Sequence, residues 1–187
     1  SQEVAVSGEL TIIGQTEDMS NLVTITAAAT SRHFQLMNTG DKLNLWHLKL
    51  TGGDMTSYTT DPERRAGSIL VWHVASEVNL YYSELSGNKA QHGGAIMAQD
   101  TSKRAFVNIY NSVLKNNEVP SVNGHGSAIY TSKAVLKIQD SIIDANTGAY
   151  GGALSTGGSE ITITNTLISN SVSTNHGGAI YVSGEEN

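Results

Sequence analysis

A ring stands immediately before a glycine in four short segments: His92 in "HGGAIMA", His125 in "HGSAIYT", Tyr150 in "YGGALST" and His176 in "HGGAIYV". Imidazoles that recur once per repeat suit a transition metal, or a group that titrates at about pH 6.5. His92, His125 and His176 are therefore the candidate metal ligands. Tyr150 interrupts the series and no carboxylate joins it. Stacking of flat rings is the expected use, and neither a metal nor another cofactor is assigned.

A second set is Trp46, Tyr81 and Tyr110, each one residue past an alternating apolar pair (Leu43/Leu45, Val78/Leu80, Val107/Ile109). With the pair turned inward, the next ring along a strand points outward. Outward rings on a rigid sheet offer large contact area at low entropic cost, which suits protein subunits or surface glycans as partners. A loop or neighbouring domain lying over the rings is the competing expectation. Arg64 and Arg65 join the candidate binding residues, because they lie in "DMTSYTTDPERRA" (54–66), a long loop on an otherwise regular scaffold. There they can equally pair with Asp61 and Glu63.

The elements that position these residues follow from self-similarity. The apolar pairs continue as Leu10/Ile12, Leu136/Ile138 and Ile161/Ile163, and a second element follows in "SELSGN", "SVLKNN", "SIIDAN" and "TLISNS". The glycine motif closes each unit. A unit of this size cannot bury both faces alone and gains a core only by stacking on copies of itself. The chain is thus expected to be all-β, a single-stranded right-handed parallel β-helix of about six coils, the handedness following that of parallel crossovers. Residues 1–187 form one domain, with extended loops at 54–66 and 118–125, and the uncapped ends suggest a segment of a longer protein whose further coils are partners too.

Within that frame Asn88, Asn117 and Asn146 form a turn ladder, since Asn tolerates left-handed backbone and its amide can bond the copies above and below. Gly93, Gly151 and Gly177, each with the glycine after it, mark a second corner by positive φ and close approach.

The alternation of apolar-x-x-Asn with Gly-Gly-Ala-Ile/Leu resembles the repeats of the chlamydial polymorphic outer-membrane proteins and related microbial surface proteins. There the pair is Phe-x-x-Asn and Gly-Gly-Ala-Ile; here Leu85, Leu114, Ile143 and Ile168 stand in place of Phe. The resemblance covers roughly residues 67 to 183. It implies a β-helix displayed outside a cell, extracellular or at the cell surface, adhesive or structural and not enzymatic.

Other β-helix functions need patterns that can be checked. A pectate-lyase-like enzyme requires carboxylates converging from adjacent coils. Asp140 and Asp144 share one coil, and Asn111, Asn165 and Lys115 occupy the neighbouring positions. An ice-binding face requires outward Thr in every coil, whereas the column of Thr162 reads Asn44, Asn79, Asn108, Lys137. A net charge of −6 without a basic cluster argues against nucleic acid. No apolar run is long enough to span a bilayer as a helix. The absence of cysteine excludes a disulfide framework.

Overall fold

The computed structural model describes residues 3–16, 18–73, 75–100 and 104–184. All of its regular structure is strand. β1 (Val4–Val6) precedes six coils. The first is β2 (Glu9–Ile13), β3 (Val23–Thr26) and β4 (Phe34–Leu36), the second β5 (Lys42–Trp46), β6 (Leu48–Thr51) and β7 (Ile69–Val71). The third comprises β8 (Glu77–Tyr81), β9 (Glu84–Ser86) and β10 (Ile96–Gln99), the fourth β11 (Ala105–Tyr110), β12 (Val113–Lys115) and β13 (Ile129–Ser132). The fifth runs β14 (Ala134–Gln139), β15 (Ile142–Asp144), β16 (Thr147–Tyr150) and β17 (Leu154–Gly157). The sixth runs β18 (Glu160–Thr164), β19 (Leu167–Ser169), β20 (Val172–His176) and β21 (Ile180–Ser183).

Every pairing is parallel, and like strands stack. Sheet I holds β2, β5, β8, β11, β14 and β18; sheet II holds β3, β6, β9, β12, β15 and β19; sheet III holds seven strands, β1, β4, β7, β10, β13, β17 and β21. The registry is the one the repeats demand: Leu10, Leu43, Val78, Val107, Leu136 and Ile161 lie over one another. Together with Leu50, Leu85, Leu114 and Ile143 from sheet II and Ile69, Ile96, Ile129 and Leu154 from sheet III they form one continuous core. An unbroken apolar column needs every coil to present the same face inward, and the period of two along each strand supplies it.

Two features lie outside the three-strand unit. β1 adds a strand above the first coil of sheet III. The two most closely spaced coils extend the segment after the Asn corner into a fourth strand, β16 paired with β20, because there it is short and of nearly equal length in both coils. Where the loops lengthen, at 54–66 and 118–125, only isolated bridges such as Asp54 to Lys89 and Lys89 to Glu118 continue that ladder.

The corners correct the expected division of labour. Asn88, Asn117 and Asn146 are not the left-handed residues; the residue before each is, namely Gly87 (φ 65°), Asn116 (54°) and Ala145 (52°). Each ladder Asn instead follows the bend, turns its buried amide along the stack and bonds its copies. Asn88 Nδ2 donates to Asn117 Oδ1 at 3.1 Å and Asn117 Nδ2 to Asn146 Oδ1 at 3.0 Å. Of each glycine pair only the first is left-handed, as at Gly93, Gly151 and Gly177. The second, at Gly94 and Gly152, has ordinary φ and allows close approach: a Cβ there would strike Ser127 O or Gly178 O of the next coil.

Candidate functional site

The outer face of sheet I carries a column of rings beside a column of amides. Trp46, Tyr81 and Tyr110 lie in register, preceded by Ile13 and followed by Gln139 and Thr164. Trp46 and Tyr81 stack with centroids 4.0 Å apart and planes at 16°, and Tyr81 and Tyr110 at 5.2 Å and 8°. The three rings are half-buried. Beside them, at the left-handed corner between sheets I and II, His47 (φ 54°) and Tyr82 (φ 49°) make a second stack, 5.3 Å apart at 15°. Lys137 Nζ lies 5.6 Å from the centre of the Tyr110 ring. Because the faces are spent on one another along the stack, the rings turn their edges outward, the electropositive rim of each quadrupole. Burial, then the neighbouring Tyr110 and Glu77, raise the Tyr81 phenol above its usual range, so its hydroxyl stays a neutral donor and acceptor.

The adjacent column is amide. Asn79 Nδ2 donates to Asn44 Oδ1 and Asn108 Nδ2 to Asn79 Oδ1, both at 2.9 Å, and Asn44 Nδ2 donates to Glu9 Oε1 and Thr11 Oγ1. A chain of equally directed amides fixes the face rigidly.

The histidine series lies on another edge, where the corner enters sheet III. His92 and His125 stack at 5.7 Å, His125 and Tyr150 at 4.7 Å, and Tyr150 meets His176 tilted at 5.5 Å. Arg65 bridges to His92 and so occupies the same column one coil earlier. Burial, with the Arg65 cation and coupling to His125 next, lowers His92 to about 4, and burial alone lowers His125. Among the described residues no group of three or more His, Cys, Asp or Glu converges as a metal site needs. The sequence reading overlooked Tyr130 and Tyr181, one strand residue further in, which close over the same rings: His125 to Tyr130 is 5.4 Å and Tyr150 to Tyr181 5.4 Å. Their alternation in "AIYT" and "AIYV" marked them as outward-facing on sheet III.

Arg64 and Arg65 both grip Asp61. Nε of each lies 2.6 Å from Asp61 Oδ1, and Arg65 Nη2 lies 2.7 Å from Oδ2. These two hydrogen-bonded guanidinium groups hold the Asp61 carboxyl far below the usual range. Arg65 also covers Trp72 at 4.7 Å and reaches Gln99 Oε1. The Arg65 guanidinium thus pins the 54–66 loop onto sheet III. Arg65 is spent on the loop's own anchorage, and Arg64 stays near the surface.

The two acids of the fifth coil are also engaged. Asp140 accepts from Asn165 Nδ2 and Gln139 Nε2, and Asp144 from Ser169 Oγ and Asn170 Nδ2. Those bonds keep the Asp144 carboxyl low, the direction of an ionised acceptor. A charge ladder on sheet II also went unread: the buried Glu84 sits between the half-exposed Lys49 at 3.0 Å and Lys115 at 2.9 Å. So did a hydroxyl ladder, in which the backbone N of Ser83 takes Ser112 Oγ and that of Ser112 takes Ser141 Oγ, both at 3.1 Å. The signal was the first letter of "SELSGN", "SVLKNN" and "SIIDAN".

Compared with known family models, curated proteins and solved structures, the chain gives no match.

Proposed function

We propose that this chain is a non-catalytic β-helix module of an extracellular or cell-surface protein, structural and adhesive, which holds a protein partner against the outer face of sheet I. The observation that carries the reading is the half-exposed ring column Trp46, Tyr81, Tyr110 lying edge-outward beside the ordered amides of Asn44, Asn79 and Asn108. Ring edges, phenol hydroxyls and an amide row suit backbone and side-chain carbonyls of a protein surface; a sugar stacks on ring faces, and here those are used between rings. The resemblance to polymorphic outer-membrane protein repeats supports placement outside a cell. Engagement of Asp140 and Asp144 by neighbouring amides and hydroxyls supports a role without acid–base chemistry.

The test compares the chain with a Trp46→Ala, Tyr81→Ala variant on immobilised extracellular-matrix proteins and on a glycan array. Retention of a protein signal by the parent and its loss by the variant is expected. Equal signals from both forms on every surface would dismiss the sheet I face, and a variant-sensitive signal confined to glycans would transfer the role to sugars.

A further inference from the structure

Leu70 and Met97 stand on the outward side of sheet III, each between two residues of the main core, yet both are fully buried. What closes over them is the end of the 54–66 loop. Ala66 forms a second apolar cluster with Leu70 and Met97, flanked by Met37, Trp72 and Tyr130. The Arg65 guanidinium lies over the Trp72 ring at 4.7 Å and 3.9 Å from Met97 Sδ, and it bonds Gln99 Oε1. A cation thus seals the rim of an apolar cluster.

The closed loop carries backbone strain at its exit. Ala66 donates its N–H to His92 O as Gly93 does to His125 O, Gly126 to Tyr150 O and Gly151 to His176 O, so it fills a corner position that glycine holds in those three coils. Its φ of 54° is one that an L side chain adopts at a cost glycine escapes.

The loop also leaves a titratable ring against the clasp. Arg65 and His92 bridge in the same column. His92 Nδ1 is buried without a partner, so no acceptor stands ready for a proton there. Facing the ring are Arg65, Arg64 and Asp61 from the loop, and His125 and Tyr130 from the next coil. Glu63 of the same loop bonds Thr60 instead. Two guanidinium groups against the one Asp61 carboxylate leave the loop side positive.

Mild acid therefore acts on the imidazole and spares the ion pairs. Both arginines hold the Asp61 carboxyl far below the usual range, so it stays ionised. Burial and the Arg65 cation hold His92 at about 4, and a lifted loop would relieve both. The stack does not depend on the loop, which contributes no strand to any of the three sheets.

We propose that the 54–66 loop is an acid-released cover: a proton on His92 repels the Arg65 clasp, the loop lifts about Ala66, and the Leu70, Trp72, Met97 and Tyr130 face of sheet III opens to solvent while the coils stay stacked. Proton binding and opening favour one another, because the proton goes to the arrangement in which His92 is hydrated and distant from Arg65.

In a Trp46→Phe background Trp72 is the one remaining tryptophan, and acrylamide quenching of its fluorescence reports the cover. Between about pH 7 and about pH 4.5 the quenching constant should rise about two-fold or more, reversibly, with the circular dichroism of the coils unchanged. Hydrogen exchange of the parent chain, corrected for the intrinsic rate, should quicken at Gln91, whose N–H bonds Arg64 O, and not at Asn88 or Asn117. His92→Gln should flatten the rise in quenching, and Arg65→Gln should raise quenching already at neutral pH. Constant Trp72 quenching down to the pH at which circular dichroism is lost would overturn the proposal. So would an undiminished rise in His92→Gln, or exchange that quickens equally in every coil.

Discussion

Replacing Asn117 by Ala removes the middle rung of the buried amide ladder. Asn117 is 1% exposed, so water does not replace what is lost. Its Oδ1 accepts from the Asn88 backbone N at 3.0 Å and from Asn88 Nδ2 at 3.1 Å, while its Nδ2 donates to Leu85 O and Asn146 Oδ1, both at 3.0 Å. After truncation Asn88 Nδ2 still reaches Leu50 O, and Asn146 Oδ1 still accepts from the Asn117 backbone. The Asn88 N–H has no such second partner. A stranded buried donor costs roughly 1–3 kcal/mol and each further lost bond about 0.5–1, so Asn117→Ala should destabilise by about 3–5 kcal/mol. Asn117→Ser should recover around half of that, because Ser171 shows how a hydroxyl serves the amide above it, accepting from Asn146 N at 3.3 Å. Urea unfolding followed by circular dichroism, with the midpoint compared at constant slope, measures both. Hydrogen exchange at the Asn88 amide should accelerate in the Ala variant alone. A loss under about 1 kcal/mol for Asn117→Ala, or equal losses for Ala and Ser, would refute the ladder as a source of stability.

Two other outcomes follow from the corners and the histidines. Gly151→Ala should cost roughly 2 kcal/mol or more in the same unfolding experiment, since φ is +69° and the new Cβ would meet Leu154 O, while Gly178→Ala, with open space around it, should be nearly neutral. His92, with His125 and the buried His33 beside it in this respect, is held below its ordinary value chiefly by burial. The unfolded chain then binds protons more tightly than the folded one, so stability is complete above about pH 6.5 and falls as pH drops towards the folded value of about 4 at His92. The ceiling for His92 is roughly 3 kcal/mol, reduced by its partial exposure. Melting curves between neutral and mildly acid pH should show this loss, and His92→Gln should flatten it.

Much of the fold was legible because a solenoid writes each structural position several times. Leu43, Val78, Val107 and Leu136 recur with one spacing to the following Asn or its substitute, and that recurrence is itself the registry of sheets I and II. The aromatic column followed by counting from the same pairs. Less legible was whatever depends on direction within a corner. Asn117 and Asn116 stand side by side in the sequence, and propensity alone gives no reason for Asn116 to be left-handed while Asn117 turns its amide inward. The hydroxyl ladder was missed for a similar reason: a serine at a bend is common in any loop, and its worth comes from another serine one coil away.

The sequence by itself determined that the chain is a stack of parallel coils, which side chains share a column and which of them face inward, because a period-two strand repeated in phase leaves no other way to bury its apolar set. Only the tertiary structure decided how the columns meet. Trp46, Tyr81 and Tyr110 lie within stacking distance of one another, so their faces close on each other and their edges turn out. Arg65 lies near enough to Asp61 to be spent on its own loop. Nor did the repeats announce β1, the seventh strand of sheet III, which pairs with β4.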